Sequence, residues 1–206
     1  MNIIETPFQD YFLHTDIYPY TEAREILKSL QSWWEHPLRK NSKSIKGNYT
    51  LDINLPNSLE KAFRYRMAEG CFNFIYYKND VIAYAGLRIH NNEAFMTRMT
   101  VNPFSHMEHF GIVTAVIVPN QIKLAYEKGC KTYNMTFEKH REKMYNWYKH
   151  KLYVHSNKVK IKQGMELVSS FQFLGIQQIY NIDQFVACFD LTQNDVIDKI
   201  NFGLKP

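Results

Sequence analysis

The sequence predicts an α/β fold of mixed α+β type, in which helices flank a central, mostly antiparallel mixed sheet. Three strand-like runs follow one another through residues 71–101 with only two-residue turns between them, a pattern typical of antiparallel hairpins. A long apolar helix comes next, and the strand after it is expected to lie parallel to the strand before it, through a right-handed crossover. More strand-like runs follow near the C-terminus, so one sheet with both kinds of pairing accounts for the order.

The composition is that of a single, well-packed globular domain. The chain has 206 residues, of which 45% are hydrophobic and 15% aromatic, and this aromatic content excludes intrinsic disorder. The 8 glycines and 7 prolines are too few for a collagen-like or low-complexity chain. We expect one domain over residues 1–206, with an N-terminal helical and loop extension (1–57), a core (58–191) and a C-terminal tail (192–206).

Membrane-spanning and secretory segments are not expected. The longest apolar run, residues 111–119, is much shorter than the roughly 20 residues that cross a bilayer, and the N-terminus has no basic region before an apolar stretch. The cysteines Cys71, Cys130 and Cys188 are odd in number and widely spaced, which excludes a disulfide scaffold and a CxxC site. We expect a soluble cytoplasmic protein without membrane contact, with Cys130 and Cys188 in the core.

The N-terminal region is predicted to be helical and irregular. Residues 1–20 are aromatic and show no regular period. Thr21 is a suitable N-cap for a helix that carries apolar residues at helical spacing and ends before Pro37. A long polar loop over 40–57 then precedes a second helix, from Ser58 to the stop at Gly70.

The second half begins with the three strands, predicted over 71–78, 81–90 and 93–101, with Asn79-Asp80 and Asn91-Asn92 as the turns. A long helix over 110–128 follows, with Gly129 as its C-cap and with Pro119 expected to kink or restart it. The remaining predictions are a strand over 132–137, a helix over 140–151, strands over 167–177 and 184–191, and a short helix from Asn194.

The junction between the third strand and the long helix is suited to a phosphate group. The N-terminus of a helix presents unpaired backbone N–H groups and a partial positive charge, and Gly111 lets the backbone come close to a ligand. His106 and His109 can add positive charge at this junction, whereas Glu108 repels phosphate. A plain strand-to-helix turn is the alternative interpretation.

Residues 101–111 read V-N-P-F-S-H-M-E-H-F-G. With the order of elements over 58–191, this stretch resembles the GNAT N-acetyltransferase superfamily, whose phosphate-binding signature is V-x-P-x-x-(Q/R)-x-x-G-x-(G/A). Val101, Pro103 and Gly111 match the signature, whereas His106 stands at its Gln/Arg position and His109 at its central Gly position. The helix to Gly129 is also about three residues longer than the family pattern.

The resemblance implies a GNAT-like fold and an acyl-CoA-dependent N-acyltransferase that uses acetyl-CoA or another acyl-CoA and acts on a small-molecule or peptide amine. The backbone of Met99, Thr100 and Val101 would pair with the pantetheine arm. The pyrophosphate would lie on a loop and helix turn made of Ser105, His106, Met107, Glu108, His109, Phe110 and Gly111.

A second stretch that resembles the family is R-E-K-M-Y-N-W-Y, residues 141–148, which has the spacing of the family's N-x-x-A-x-x-F-Y. The resemblance implies that Tyr148 is the general acid for the coenzyme A thiolate, and the basic neighbours would lower the pKa of its phenol. The alternative is a tyrosine on an aromatic helix face. Glu138, next to the end of the preceding strand, is the candidate base, and a water relay is the other possibility; Glu93 lies too far along its strand.

Residues 139–162 hold eight Lys/Arg against a single acidic residue, Glu142, and aromatic residues are interleaved with them. Such a stretch can bind nucleic acid, a phosphorylated ligand or an acidic partner, or it can be a solvated surface. The alternative function is therefore a catalytically inactive GNAT-like module that binds nucleic acid or an acidic partner. His106 and His109, with Glu108 between them, have a spacing that could place two histidines on one helix face. We expect no metal site there, because the spacing places no third ligand on that face.

Overall fold

The computed structural model of the protein describes residues 2–6, 9–17, 22–30, 32–35, 71–102, 104, 109–146, 148–149, 172–179 and 182–192. Its strands are β1 (Asn2–Glu5), β2 (Tyr11–Ile17), β3 (Cys71–Tyr77), β4 (Asp80–His90), β5 (Glu93–Val101), β6 (Thr132–Glu138), β7 (Gln172–Ile179) and β8 (Ile182–Asp190). Together they form an 8-stranded sheet with the order β1-β2-β3-β4-β5-β6-β8-β7. Within these residues, β5 and β6 pair in parallel and the other neighbours pair antiparallel. The predicted mixed, mostly antiparallel sheet is confirmed.

Helices lie on both faces of this sheet. They are α1 (Glu22–Ser29), α2 (Ser32–Glu35) and α3 (His109–Glu127), followed by a 3-10 turn (Lys139–Arg141) and by helical residues 142–146 and 148–149. The middle of α3 packs on one face, against a core that includes Leu13, Ile75 and Met135. The N-terminal helices cover the other face, where Leu27 and Trp33 pack with Phe74 and Tyr84. The α/β architecture with flanking helices is therefore confirmed.

The predicted bounds of the three consecutive antiparallel strands β3, β4 and β5, the central meander, agree closely with those observed. The turn between β4 and β5 consists of Asn91 and Asn92, whose φ angles of 52° and 61° are the left-handed pair that a tight hairpin needs. The preceding turn starts one residue earlier than predicted, at Lys78, whose φ is 54°, and Asp80 already belongs to β4. The predicted C-cap is also present, since Gly129 has a φ of 73° and its N–H donates to the Tyr126 carbonyl.

Two predictions were wrong. Residues 1–20 are not irregular throughout, because β1 and β2 extend the sheet, with β2 paired to β3 in a register that sets Leu13 opposite Ile75. Of the two outcomes predicted at Pro119, a restart of the long helix is wrong, since α3 runs unbroken through it, and a kink stays a prediction. The lost backbone donor at Pro119 is outweighed by the packing of the completely buried Ile117 and Gln121 against the sheet.

Several predicted elements fall on residues that the structure does not describe. They are the loop over 40–57, the helix over 58–70, residues 167–171 of the penultimate strand and the helix from Asn194. The long N-terminal helix is two helices, α1 and α2, with a turn at Leu30 between them. The division of the chain into extension, core and tail stays a prediction.

Gly175 makes a bulge in β7. Its φ is 72°, and the register between β7 and β8 shifts between Phe173 and Gly175. A Cβ at this position would meet nothing within 4 Å, so the cost of a side chain is conformational. We expect Gly175→Ala to lower the free energy of unfolding by about 1–2 kcal/mol, measured by urea denaturation. Gln178→Ala on the same strand is the control, and equal stabilities of the two variants would contradict a left-handed Gly175.

Candidate active site

The parallel strands β5 and β6 part at one end of the sheet. Their pairing joins Glu93–Met96 to Thr132–Met135 and stops there, although β5 continues to Val101 and β6 to Glu138. The pairing of β5 with β4 shifts between Thr97 and Thr100, so that β5 carries one extra residue at this point. Such a bulge bends a strand, and this one comes directly after the last residue of β5 that pairs with β6. We call the space between residues 97–101 and 136–138 the β5–β6 gap.

The N-terminus of α3 lies at the open end of this gap. Helix α3 starts at His109, soon after β5 ends, and the chain then returns to the start of β6 at Thr132. Because β5 and β6 are parallel, the helix must run antiparallel to both, with its first turn at their carboxyl ends. Gly111 is in that first turn, where backbone N–H groups have no acceptor within the helix.

Tyr148 lies beside the gap and contacts both of its strands. Its side chain is 3% exposed, and its ring centroid is 5.3 Å from that of Phe137 on β6. Its hydroxyl donates to Sδ of Met99 on β5, at 3.3 Å. A side chain from the segment that follows β6 therefore connects the two strands on the α3 side of the sheet, where their backbones have separated.

No protein-family model matches the sequence, and no curated protein matches it. Solved structures do match the fold. A spermidine N-acetyltransferase chimera from Vibrio cholerae and hSSAT is 10% identical, with a TM-score of 0.53 over 94% of this chain and 99% of that one. An N-acetyltransferase from Staphylococcus aureus Mu50 is 13% identical, with a TM-score of 0.54 over 89% of this chain and 99% of that one. A protein from Desulfovibrio desulfuricans, described as an acetyltransferase of the GNAT family, is 9% identical, with a TM-score of 0.50 over 88% and 99%.

The chain has the GNAT N-acetyltransferase fold. The parallel pair β5 and β6, the crossover through α3 and the sheet they belong to are parts of that fold, as the resemblance predicted. The identities of 9–13% show that this chain is a divergent example of it.

Within this GNAT fold, aromatic packing fixes the segment that carries Tyr148. Tyr145, three residues earlier and therefore on the same helix face, is 4% exposed and stacks on Phe185 of β8 with ring centroids 4.7 Å apart. Its hydroxyl accepts the Gly175 N–H of β7 at 3.1 Å. The two interpretations of Tyr148 are thus compatible, because it lies on an aromatic helix face and also reaches the β5–β6 gap.

Next to Tyr148, the GNAT core contains a chain of buried polar side chains that the sequence analysis missed. Tyr133 on β6 is completely buried, and its hydroxyl donates to Gln121 Oε1 at 3.0 Å. Gln121 Nε2 donates to Asn73 Oδ1 at 2.7 Å, and Asn73 Nδ2 donates to Thr15 Oγ1 at 2.9 Å. Burial, and to a lesser extent nearby Tyr148, hold the pKa of Tyr133 well above its usual value, so it stays a neutral donor. Gln121 is polar within an apolar helix, and this was the available signal.

The structure describes only part of the predicted site. Met99, Thr100 and Val101 lie on β5 beside the gap, with Tyr148 next to Met99. Glu138 ends β6 opposite Gln184, at the open end of the gap, and Glu93 is at the far end of β5. His109, Phe110 and Gly111 form the first turn of α3. The loop residues Ser105, His106, Met107 and Glu108 lie outside the described residues.

The basic stretch is described only as far as residue 149, apart from residue 147. Lys139 is exposed and pairs with Asp183 at 3.9 Å, and Lys143 and Lys149 are also exposed. Tyr145 and Tyr148, two of the aromatic residues interleaved with the basic ones, are buried in the core and cannot stack on a base. In this part of the chain the basic side chains form a surface without those two aromatic partners.

The described residues offer neither a metal site nor a membrane span. They contain no group of three His, Cys, Asp or Glu side chains placed to bind a metal ion, and no helix with the length and hydropathy to cross a membrane. Cys71 and Cys130 are buried and Cys188 is half-buried, and these three cysteines form no disulfide, so the core position predicted for Cys130 is confirmed and that for Cys188 only in part.

Proposed function

We propose that the protein is an acyl-CoA-dependent N-acyltransferase of the GNAT superfamily, which transfers an acetyl or other short acyl group to an amine. The observation that carries this proposal is the contact of the Tyr148 hydroxyl with Met99 at the point where β5 and β6 part. At this point β5 leaves its parallel neighbour β6 beside the phenol of Tyr148. The space between the strands can hold a thioester, and the phenol can donate a proton to the leaving thiolate. The acceptor is a small-molecule or peptide amine.

The residues around the gap have the chemistry that an acyl-CoA needs. A pantetheine arm contains two amides, and residues 99–101 of β5 are extended backbone that can pair with them in the manner of an added strand. The first turn of α3, with Gly111, offers N–H groups and the positive end of the helix dipole to the pyrophosphate. We assign residues 105–111 to the pyrophosphate and residues 99–101 to the arm. When bound, the acyl-CoA supplies the thioester carbonyl that the amine attacks.

Tyr148 holds the proton that the departing thiolate needs. Its acceptor in this structure is a thioether sulfur, which is a weak acceptor, so little is lost when the hydroxyl turns from Met99 to a thiolate. A charged acceptor strengthens the new hydrogen bond, and the buried position keeps water away from it. The Tyr148 ring packs on Phe137, which in turn packs on Tyr145, and this packing holds the hydroxyl in place before the reaction begins.

Proton removal from the attacking amine is assigned to Glu138, and a water relay that needs no strong local base is the alternative. Glu138 is the last residue of β6, at the end of the sheet where β5 and β6 have separated. In this proposal the base lies at the end of β6, and the hydroxyl of the acid, Tyr148, lies at Met99 of β5.

Calorimetric titration with acetyl-CoA tests the proposal. We expect micromolar binding to the native protein and at least tenfold weaker binding to Gly111→Trp, because an indole in the first turn of α3 covers the N–H groups. Lys123→Trp places the same side chain on an exposed position of α3, away from its N-terminus, and is expected to bind like the native protein. A folded native protein that binds neither acetyl-CoA nor coenzyme A would overturn the assignment.

The alternative, an inactive module that binds nucleic acid or an acidic partner through residues 139–162, is less well supported. The burial of Tyr145 and Tyr148 removes two of the stacking groups on which it relied. It predicts that acetyl-CoA does not bind and that association with nucleic acid weakens steeply with salt. The titration therefore separates the two functions.

A further inference from the structure

We infer that Met99 sets the length of the acyl chain that the β5–β6 gap accepts, and that the gap takes only short chains such as acetyl and propionyl. This inference rests on the proposed function, since it concerns the site where that function places the thioester. The observation that supports it is that side chains close the gap on two sides, at its narrow end and toward α3.

The narrow end of the gap is closed where β5 and β6 begin to pair. The last pair, Met96 and Met135, is buried on the α3 side of the sheet, with exposed fractions of 6% and 0%. On the opposite face the preceding pair, Phe95 and Asn134, is buried as well, and Asn134 Nδ2 donates to the Ala94 carbonyl at 3.3 Å. An acyl chain that points toward the narrow end thus meets paired backbone and packed side chains on both faces.

The α3 side of the gap is closed by Met99, Tyr148 and Phe137. The Tyr148 ring packs on Phe137, and its hydroxyl reaches the Met99 sulfur, so these three side chains span from β5 to β6. Behind them lies the completely buried Tyr133, hydrogen-bonded to Gln121 of α3. Because protein cores are close-packed, a longer acyl chain can enter on this side only by displacing one of these groups.

Among these groups, Met99 is the one that can be displaced or shortened. Phe137 is 6% exposed, and its ring packs on both Tyr145 and Tyr148, so it has little freedom to move. Met99 is half-buried at the bulge of β5, is unbranched and flexible, and is held by a weak hydrogen bond. Truncation to Ala removes the arm beyond Cβ and leaves room for about three more chain atoms.

The test is a series of calorimetric titrations with coenzyme A, acetyl-CoA, butyryl-CoA and hexanoyl-CoA. We expect the native protein to bind hexanoyl-CoA at least tenfold more weakly than acetyl-CoA. In Met99→Ala the ratio should move at least tenfold in favour of hexanoyl-CoA, whereas Met99→Leu, which keeps the volume, should keep the native ratio. Met144→Ala removes a methionine that is 36% exposed in the same helical segment as Tyr148, and it should also keep the native ratio.

The outcomes distinguish this inference from the proposed function. Equal binding of all chain lengths by the native protein, or an unchanged ratio in Met99→Ala, would overturn the role of Met99 and leave the acyl-CoA site in place. Absence of binding to coenzyme A and to every thioester would overturn the proposed function and this inference with it. Should Met99→Ala be too unstable to titrate, Met99→Val is expected to admit butyryl-CoA, and a native ratio there would contradict the inference.

Discussion

Replacement of Tyr148 by Phe is expected to slow acyl transfer by about 10²–10⁴-fold, the range that a positioned general acid contributes. The substitution keeps the ring, which packs on Phe137 and closes the α3 side of the gap, and removes only the hydroxyl that donates to Met99 Sδ. The thiolate must then leave unprotonated or take its proton from water. Affinity for acetyl-CoA should change little, because the phenol acts on charge that develops during the reaction.

The rate is measured as thiol release from acetyl-CoA, with whichever member of a panel of primary amines the native protein acetylates. Tyr126→Phe is the matched control, since Tyr126 is 37% exposed in the last turn of α3 and is remote from the gap. A native rate in Tyr148→Phe, with a loss of rate in Glu138→Gln, would show that the ring of Tyr148 serves only packing. The proton of the thiolate would then come from elsewhere.

The location of Tyr148 on a helical segment after β6, on the same face as Tyr145, could be predicted from the sequence because it depends on local spacing. Residues 141–148 have the spacing of a known motif, and the i, i+3 pair Tyr145 and Tyr148 belongs to one helix face in any such helix. The strands of the meander were predictable for the same reason, since turn residues such as Asn91 and Asn92 act within their own hairpin.

Features that depend on pairing between distant segments could not be predicted. Strand β2 exists because it pairs with β3, and the contact of Asn73 with Thr15 joins residues 58 positions apart. The bulge that bends β5 is a property of its register with β4, which the residues of β5 do not specify. The β5–β6 gap, and with it the contact of Tyr148 with Met99, follows from that register.

The second large effect that we expect is on stability, and it comes from the hydrogen-bonded buried side chains of Tyr133, Gln121, Asn73 and Thr15. Gln121→Leu should lower the free energy of unfolding by about 2–6 kcal/mol, because it leaves two completely buried groups, Asn73 and Tyr133, without their Gln121 partner and each such loss costs about 1–3 kcal/mol. This is a large fraction of the roughly 5–15 kcal/mol that stabilises a domain. Urea denaturation measures it, and Gln177→Leu, an exposed position on β7, should change stability by less than about 0.5 kcal/mol.

A double variant shows whether the cost comes from unsatisfied polar groups or from poor packing. If the Tyr133 hydroxyl is the group left without an acceptor, Tyr133→Phe in the Gln121→Leu background removes that group and should restore part of the lost stability. Poor packing of Leu predicts instead that the two substitutions add. Gln121 joins the middle of α3 to both β3 and β6 through its hydrogen bonds with Asn73 and Tyr133. Restored stability would therefore also mean that these buried hydrogen bonds hold in place the helix whose first turn we assign to the pyrophosphate.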